Sequence, residues 1–177
     1  MGSDKSLLVY HTLPQRYHVY EMLEGLCSKV YISCNKGQAR TMDTRYNYII
    51  DNPELLHAGP LTACLSAISQ FPESNILLIG CDYPFLSRNE VNDFITFFLG
   101  KNLPAAFFDP ESKCYIPVLG FYPAGSETKL IKWKEDKSYS LQQFLKEGSA
   151  LKYIPKDLRS MTSIDTPEAI VHIDTTI

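Results

Sequence analysis

The sequence holds no Cys-x-x-Cys pair, no apolar run approaching the ~20 residues of a membrane span, and no excess of basic residues. Lysine and arginine number 17 against 20 acids, a formal charge of −3. A mildly acidic surface argues against broad nucleic-acid binding, which needs a basic face. No nucleic acid is therefore expected as a partner, while a local basic pocket for one phosphorylated ligand stays open. The cysteines, at 27, 34, 64, 81 and 114, are odd in number. No basic and then apolar leader opens the chain, so export is not expected. These absences predict a soluble cytoplasmic protein, off the membrane, with reduced thiols. The cysteines then read as small core residues, with a thiol nucleophile as the sharper alternative. Also missing are a Gly-x-Ser-x-Gly elbow and a complete Walker-type phosphate loop. His11, His18, His57 and His172 are scattered without metal-ligand spacing and read as solvated or core histidines.

What is present is ordinary globular material: 45% hydrophobic and 21% charged. That excludes a disordered chain, a collagen-like repeat and a small disulfide scaffold. The 177 residues suit one domain, and a chain of this size buries roughly 70% of its unfolded surface without staples. Val19, Met22, Leu23 and Leu26 share one face of a helix predicted over Pro14–Leu26. Strands are predicted at Lys29–Ser33 and Tyr46–Ile50, and a helix over Pro60–Phe71 with Pro60 in its first turn. Ile76–Ile79 is an unbroken apolar run, the pattern of a strand buried on both faces of a parallel sheet. Ser87 to Glu90 has the form of a capping box ahead of an amphipathic helix ending near Gly100. Pro104–Phe108 reads as a strand. Tyr115–Tyr122 is strand-like but interrupted by Pro117 and Gly120, which predicts an edge or a bulge. Ser140–Glu147 reads as a short helix, Lys152–Ile154 as a last strand and Thr166–His172 as a last helical turn or two. Strands alternating with helices predict an α/β fold, three-layered and mostly parallel. Its ligand edge lies where the strands stop.

The segment Ile79-Gly-Cys-Asp-Tyr-Pro84 places an acid directly after the central apolar strand. There Asp82 is placed to hold magnesium bridging phosphates, since hard cations take carboxylate oxygens; the plainer alternative is a turn cap. In Ala58-Gly-Pro-Leu-Thr-Ala63, Gly59 permits close approach of a ligand and Pro60 opens a helix whose first amides can meet an anion; the alternative is an ordinary loop-to-helix junction. Lys5, just after Gly2, can neutralise phosphate oxygens, or is a surface lysine beside a vector-derived tag. Asn35 can read a base or ribose through its amide, and Asp51 can accept from a guanine amino group or sugar. Each is also an ordinary turn residue, but Asn35, Asp51 and Asp82 all fall where a strand stops.

Taken in order, these segments resemble the molybdenum cofactor guanylyltransferase family, within the Rossmann-like nucleotidyltransferases. The family pattern opens with Leu-Ala-Gly-Gly-x-Ser-x-Arg-Met-Gly-x-Asp-Lys. It continues with Asn after the second strand, Asp after the third, Gly-Pro-Leu before a helix, Cys-Asp-x-Pro after a central strand, and Asn-x-Asn-Thr-Pro-Glu near the C-terminus. This sequence has Met1-Gly-Ser-Asp-Lys5, Asn35, Asp51, Gly59-Pro60-Leu61, Cys81-Asp82-Tyr83-Pro84 and Ser163-Ile-Asp-Thr-Pro-Glu168. The resemblance implies a three-layer fold with a mostly parallel Rossmann-like sheet. It implies transfer of GMP from GTP to molybdopterin, with release of pyrophosphate. It also implies a role for magnesium and an association with other proteins of molybdenum cofactor synthesis. Carried over, Lys5 contacts GTP phosphates, Asn35 and Asp51 hold the nucleoside, Gly59 and Pro60 line the nucleotide, and Asp82 binds magnesium near the α-phosphate.

The first strand and the Leu-Ala-Gly-Gly-x-Ser-x-Arg loop of the pattern have no counterpart here, which implies a gap in the sheet and a weakened GTP site. A start assigned too late is the favoured explanation, ahead of a degenerate paralogue or a tag. Asp165 stands where the pattern has asparagine, and Thr62-Ala63 where it has Ala-Gly. Two rivals follow: a transferase using CTP or a sugar phosphate acceptor, and a truncated, non-catalytic binding module of the same fold.

Overall fold

The structure, a computed structural model, describes residues 4–55, 59–135 and 140–164. The chain begins with a 3₁₀ turn at Lys5–Leu7 and α1 (Gln15–Leu23). Then come β1 (Ile32–Cys34), α2 (Lys36–Ala39), β2 (Tyr48–Ile50), α3 (Pro60–Gln70) and β3 (Ile76–Ile79). These are followed by α4 (Arg88–Phe98), β4 (Ala105–Asp109), β5 (Cys114–Tyr122), α5 (Glu127–Glu135), α6 (Leu141–Glu147) and β6 (Leu151–Tyr153). The expected turn at Thr166–His172 and Asp165 lie outside the described residues, as do His57 and His172.

Period-two alternation places helices on both faces of the larger sheet. Ala106, Phe108, Tyr122, Ile76 and Leu78 meet α3, α5 and α6 through Leu61, Leu65, Leu130 and Leu145. Their strand neighbours Ala105, Phe107, Phe121, Leu77 and Ile79 face the other way, against α1 and α4 through Leu23, Val91, Phe94 and Phe98. The result is three layers. Phe94 is fully buried, edge-on to Phe98 and Phe107 at 4.9 and 5.0 Å. Ser87 caps α4 by accepting from the Glu90 amide at 3.2 Å. The expected reciprocal half of the box is not made, because the Glu90 carboxylate accepts instead from the Tyr153 hydroxyl at 2.5 Å and the Lys156 amide at 3.2 Å.

The sheet is mixed, which corrects the mostly parallel expectation. β3, β5, β4 and β6 lie in that order, and β5 runs antiparallel to both of its neighbours. The cause is local: only residues 110–113 join β4 to β5, and so short a connection forces a hairpin. β5 is therefore an interior strand rather than an edge. Its expected bulge is present, since Ala106 pairs with Gly120 while Phe107 pairs with Ile116. A Cβ on Gly120 would lie 2.7 Å from the Pro117 carbonyl oxygen, so only glycine fits the fold-back.

β1 and β2 pair in parallel as a separate two-stranded sheet. Between β1 and β3 lies a cavity of about 400 Å³, bounded by Ile32 and Cys34 on one side, Leu77 and Ile79 on the other, and α1. For that reason every residue of β3 is only half-buried, not enclosed as its apolar run predicted.

Candidate functional site

The polar end of this cavity is where β1, β2 and β3 stop. Asp51 follows β2 and lines it, its Oδ1 accepting from the Ser33 hydroxyl. Lys5 lines it from the 3₁₀ turn, which Asp4 caps by accepting from the Ser6 amide at 3.0 Å. Pro60 lines it from the first turn of α3, with Gly59 (φ 55°) as the cap of that helix. Gly80 and Cys81 line it from the end of β3.

Lys5, Asp51 and Pro60 are thus brought together. Asn35, Gly59 and Asp82 do not line the cavity, although each is next in sequence to a residue that does. The Asn35 side-chain Oδ1 is taken up by its own helix: it accepts from the amides of Gly37 and Gln38 at 2.8 and 2.9 Å, and the Gln38 side chain closes the box. The backbone of Asp82 is tied down from later in the chain. Its carbonyl accepts from the Ile164 amide at 2.9 Å. Its Oδ1 lies over Gly80, where a Cβ would stand only 2.7 Å away. Burial pushes the Tyr10 phenol up, and the Cys81 and Asp82 charges beside it add to the effect.

Among the described residues, no group of three or more His, Cys, Asp or Glu side chains gathers to cage a metal. The donor set suits a different kind of binding. Asp82 offers a hard carboxylate directly after the lining residue Cys81, and magnesium commonly takes one or two carboxylates while substrate phosphates and waters complete its shell. A thiol nucleophile does not fit the site. Burial, with Asp82 adding, pushes the Cys81 thiol up to about 11, and burial takes Cys64 to about 12, so neither forms thiolate near neutrality.

Three features of the site had no signal in the spacing of the sequence. Gln38 Nε2 donates to Asp4 Oδ2 at 2.9 Å, tying α2 to the Lys5 turn. His11 and His18 stack at 4.0 Å, and His11 Nε2 lies 3.0 Å from the Pro84 carbonyl in the loop that presents Asp82. Arg16, on the first turn of α1, is buried and lines the cavity. Tyr17 and Tyr20 are both buried in a cluster with Tyr46.

Residues 1–152 match the family described as "MobA-like NTP transferase domain". A molybdenum cofactor biosynthesis bifunctional protein of Synechocystis is 25% identical over 175 residues, covering 95% of this chain. The chain spans about half, 48%, of that relative's length. A molybdenum cofactor guanylyltransferase of Shewanella putrefaciens is 24% identical over 98% of this chain and 84% of its own length. The crystal structure of molybdopterin-guanine dinucleotide biosynthesis protein A from Archaeoglobus fulgidus superposes with a TM-score of 0.72 at 19% identity, covering 98% of this chain and 90% of that one. At that identity the likeness speaks for the fold.

Proposed function

We propose, for a chain that belongs to the MobA-like NTP transferase domain family, that it transfers GMP from GTP to the phosphate of molybdopterin and releases pyrophosphate. What supports this reading is one cavity at the strand ends that gathers a lysine, a carboxylate and a helix N-terminus beside Asp82. In such a transfer the acceptor phosphate oxygen forms a bond to the α-phosphorus as the bond to the pyrophosphate oxygen breaks. No protein nucleophile is required, which agrees with thiols held protonated by burial.

The residues have distinct tasks. Lys5 neutralises phosphate oxygens as a point charge. Asp51 accepts from the nucleoside, with Asn35 after the end of the paired strand β1. At the opening of α3, after Gly59 and Pro60, the Leu61 amide meets the phosphates, the Thr62 amide being bonded to the Gly59 carbonyl. Asp82 would hold magnesium, which when bound would neutralise negative charge on the phosphate oxygens. Gly80, lacking a Cβ, leaves room for the Asp82 carboxylate against the end of β3.

The test is turnover of each labelled nucleoside triphosphate with magnesium and molybdopterin, by the parent chain and by Asp82→Asn. GTP should be the preferred donor, and the substitution should lower turnover by about a hundredfold and abolish magnesium-dependent GTP binding in calorimetry. Preference for CTP or for a sugar phosphate acceptor would replace the guanylyl reading with its nearest relative. No turnover of any nucleotide would favour a binding module. Unchanged GTP affinity in Asp82→Asn would remove Asp82 from the metal role.

A further inference from the structure

Arg16 is 5% exposed, yet it makes no ion pair among the described residues. Its Nη2 donates to the Tyr17 hydroxyl at 2.8 Å and to the Thr41 carbonyl at 2.9 Å. The guanidinium carbon sits 4.7 Å over the Tyr17 ring. That ring is itself clamped: it stacks on Tyr46 at 4.3 Å, and its hydroxyl accepts from the Asp43 amide at 3.0 Å. One side of the guanidinium is thus fixed in place. The other is buried and unpaired, for neither Nε nor Nη1 has a hydrogen-bond partner.

A buried cation with unused N–H groups is costly. Main-chain and hydroxyl oxygens satisfy one nitrogen, but no described carboxylate forms an ion pair with the guanidinium. Arg16 lines the cavity at its polar end, together with the charged groups Asp4, Lys5 and Asp51. Neither carboxylate answers it. Asp4 is committed to Ser6 and Gln38, and Asp51 to Ser33. The Arg16 charge is nonetheless felt at Asp4, Cys34 and Cys81, which places it among the groups around the strand ends. An anion entering the cavity is the simplest partner for the unsatisfied donors. Guanidinium suits phosphate well, because its planar donors match phosphate oxygens.

We infer that Arg16 is a phosphate-binding residue of the cavity, its Nε and Nη1 donating to oxygens of the nucleotide's phosphate chain alongside the charge of Lys5. This inference rests on the nucleotidyl-transfer reading for the identity of the phosphate, though not for the binding of an anion. Arg16 therefore acts by holding and orienting the donor, and its rigid support by Tyr17 and Thr41 sets where the phosphate lies.

The experiment is calorimetric titration of the full chain, as parent, Arg16→Met and Arg16→Lys, with pyrophosphate, GTP and guanosine, alongside thermal melts without ligand. Arg16→Met should weaken pyrophosphate and GTP by about tenfold or more. Guanosine binding should stay unchanged, and the ligand-free melt should stay the same or rise, because an unpaired buried charge has been removed. Arg16→Lys keeps the charge and should recover part of the phosphate affinity; it provides the same comparison should the methionine variant fail to fold. Equal pyrophosphate and GTP affinity in parent and variants would overturn the inference while leaving the transferase reading intact. Pyrophosphate binding that depends on Arg16, in a parent that binds no nucleoside triphosphate, would uphold the anion site and sink the transferase reading instead. Equal loss for guanosine and GTP would mean a purely structural role and would overturn the inference.

Discussion

Replacing Gly80 by alanine places a methyl carbon 2.7 Å from Asp82 Oδ1, 3.1 Å from Tyr83 Cε2 and 3.1 Å from Val118 Cγ2. Ordinary contact begins near 3.4 Å, so the Asp82 carboxylate must retreat by about 0.7 Å, roughly the scale at which misplacement becomes costly to catalysis. The ring of Tyr83 and the methyl of Val118 need give only a few tenths of an ångström. Overpacking of this kind costs about 1–3 kcal/mol. Gly80 carries no left-handed backbone angle, so alanine also restricts the unfolded chain and returns about 0.4–1 kcal/mol. The expected net loss of stability is about 1 kcal/mol, read as a shift in urea midpoint. The expected loss of turnover is larger, about a hundredfold, because the methyl sits against the carboxylate assigned to the metal. A double-mutant cycle separates the two effects. In an Asp82→Ala background the shortest clash is gone, so Gly80→Ala should cost less stability there, with a coupling of about 0.5–1 kcal/mol. Turnover should no longer respond to the glycine at all. If Gly80→Ala is as stable and as active as the parent, the carboxylate is not held against the end of β3, and the assignment of Asp82 fails with it.

Two further outcomes follow from side chains around this framework. Tyr153→Phe removes the 2.5 Å bond to Glu90, a carboxylate 6% exposed that would keep only the Lys156 amide. The urea midpoint should report a loss of about 1.5–3 kcal/mol, and a loss below about 0.5 kcal/mol would mean that the pair is not buried as described. Burial lowers the His18 imidazole below its ordinary 6.5, and the His11 charge lowers it further against an opposing Glu21. The unfolded chain then binds the proton more readily, so the contribution of His18 is complete above 6.5 and is lost as pH falls below it. His18→Gln should therefore narrow the gap between urea midpoints measured at about pH 7.5 and about pH 5.5. A gap of the parent's size would refute the burial of that ring.

The elements that could be read in advance are those whose pattern is local. Leu61, Leu65 and Ile68 repeat at helical spacing behind Pro60, and α3 runs over Pro60–Gln70. Val91, Phe94 and Phe98 do the same behind Ser87 in α4. The elements that escaped lack such a stripe. α2 is four residues long and contains glycine; its one signature is the box between Asn35 and Gln38, and Asn35 had been given a ligand instead. α5 has a single fully buried aliphatic side chain, Leu130, among charged neighbours. The direction of β5 was lost for another reason. Strand periodicity is the same for parallel and antiparallel pairing, and only the short link at 110–113 carries the distinction.

The candidate site divides along the same physical line. Asp51 and Asp82 were legible because a carboxylate after an apolar run marks a strand end wherever the fold is α/β. Arg16 was not, because an arginine in the first turn of an amphipathic helix ordinarily reaches water. Its burial depends on the Thr41 carbonyl, 25 positions away in sequence, and its cavity on a turn fastened by Asp4 to Gln38 across 34 positions. No regular spacing encodes such contacts. A strand end can expose a carboxylate by local geometry alone, whereas keeping a guanidinium dry and half-satisfied requires distant segments to close around it. The acidic half of the site is therefore written in short motifs, and the cationic half exists only once the chain has folded.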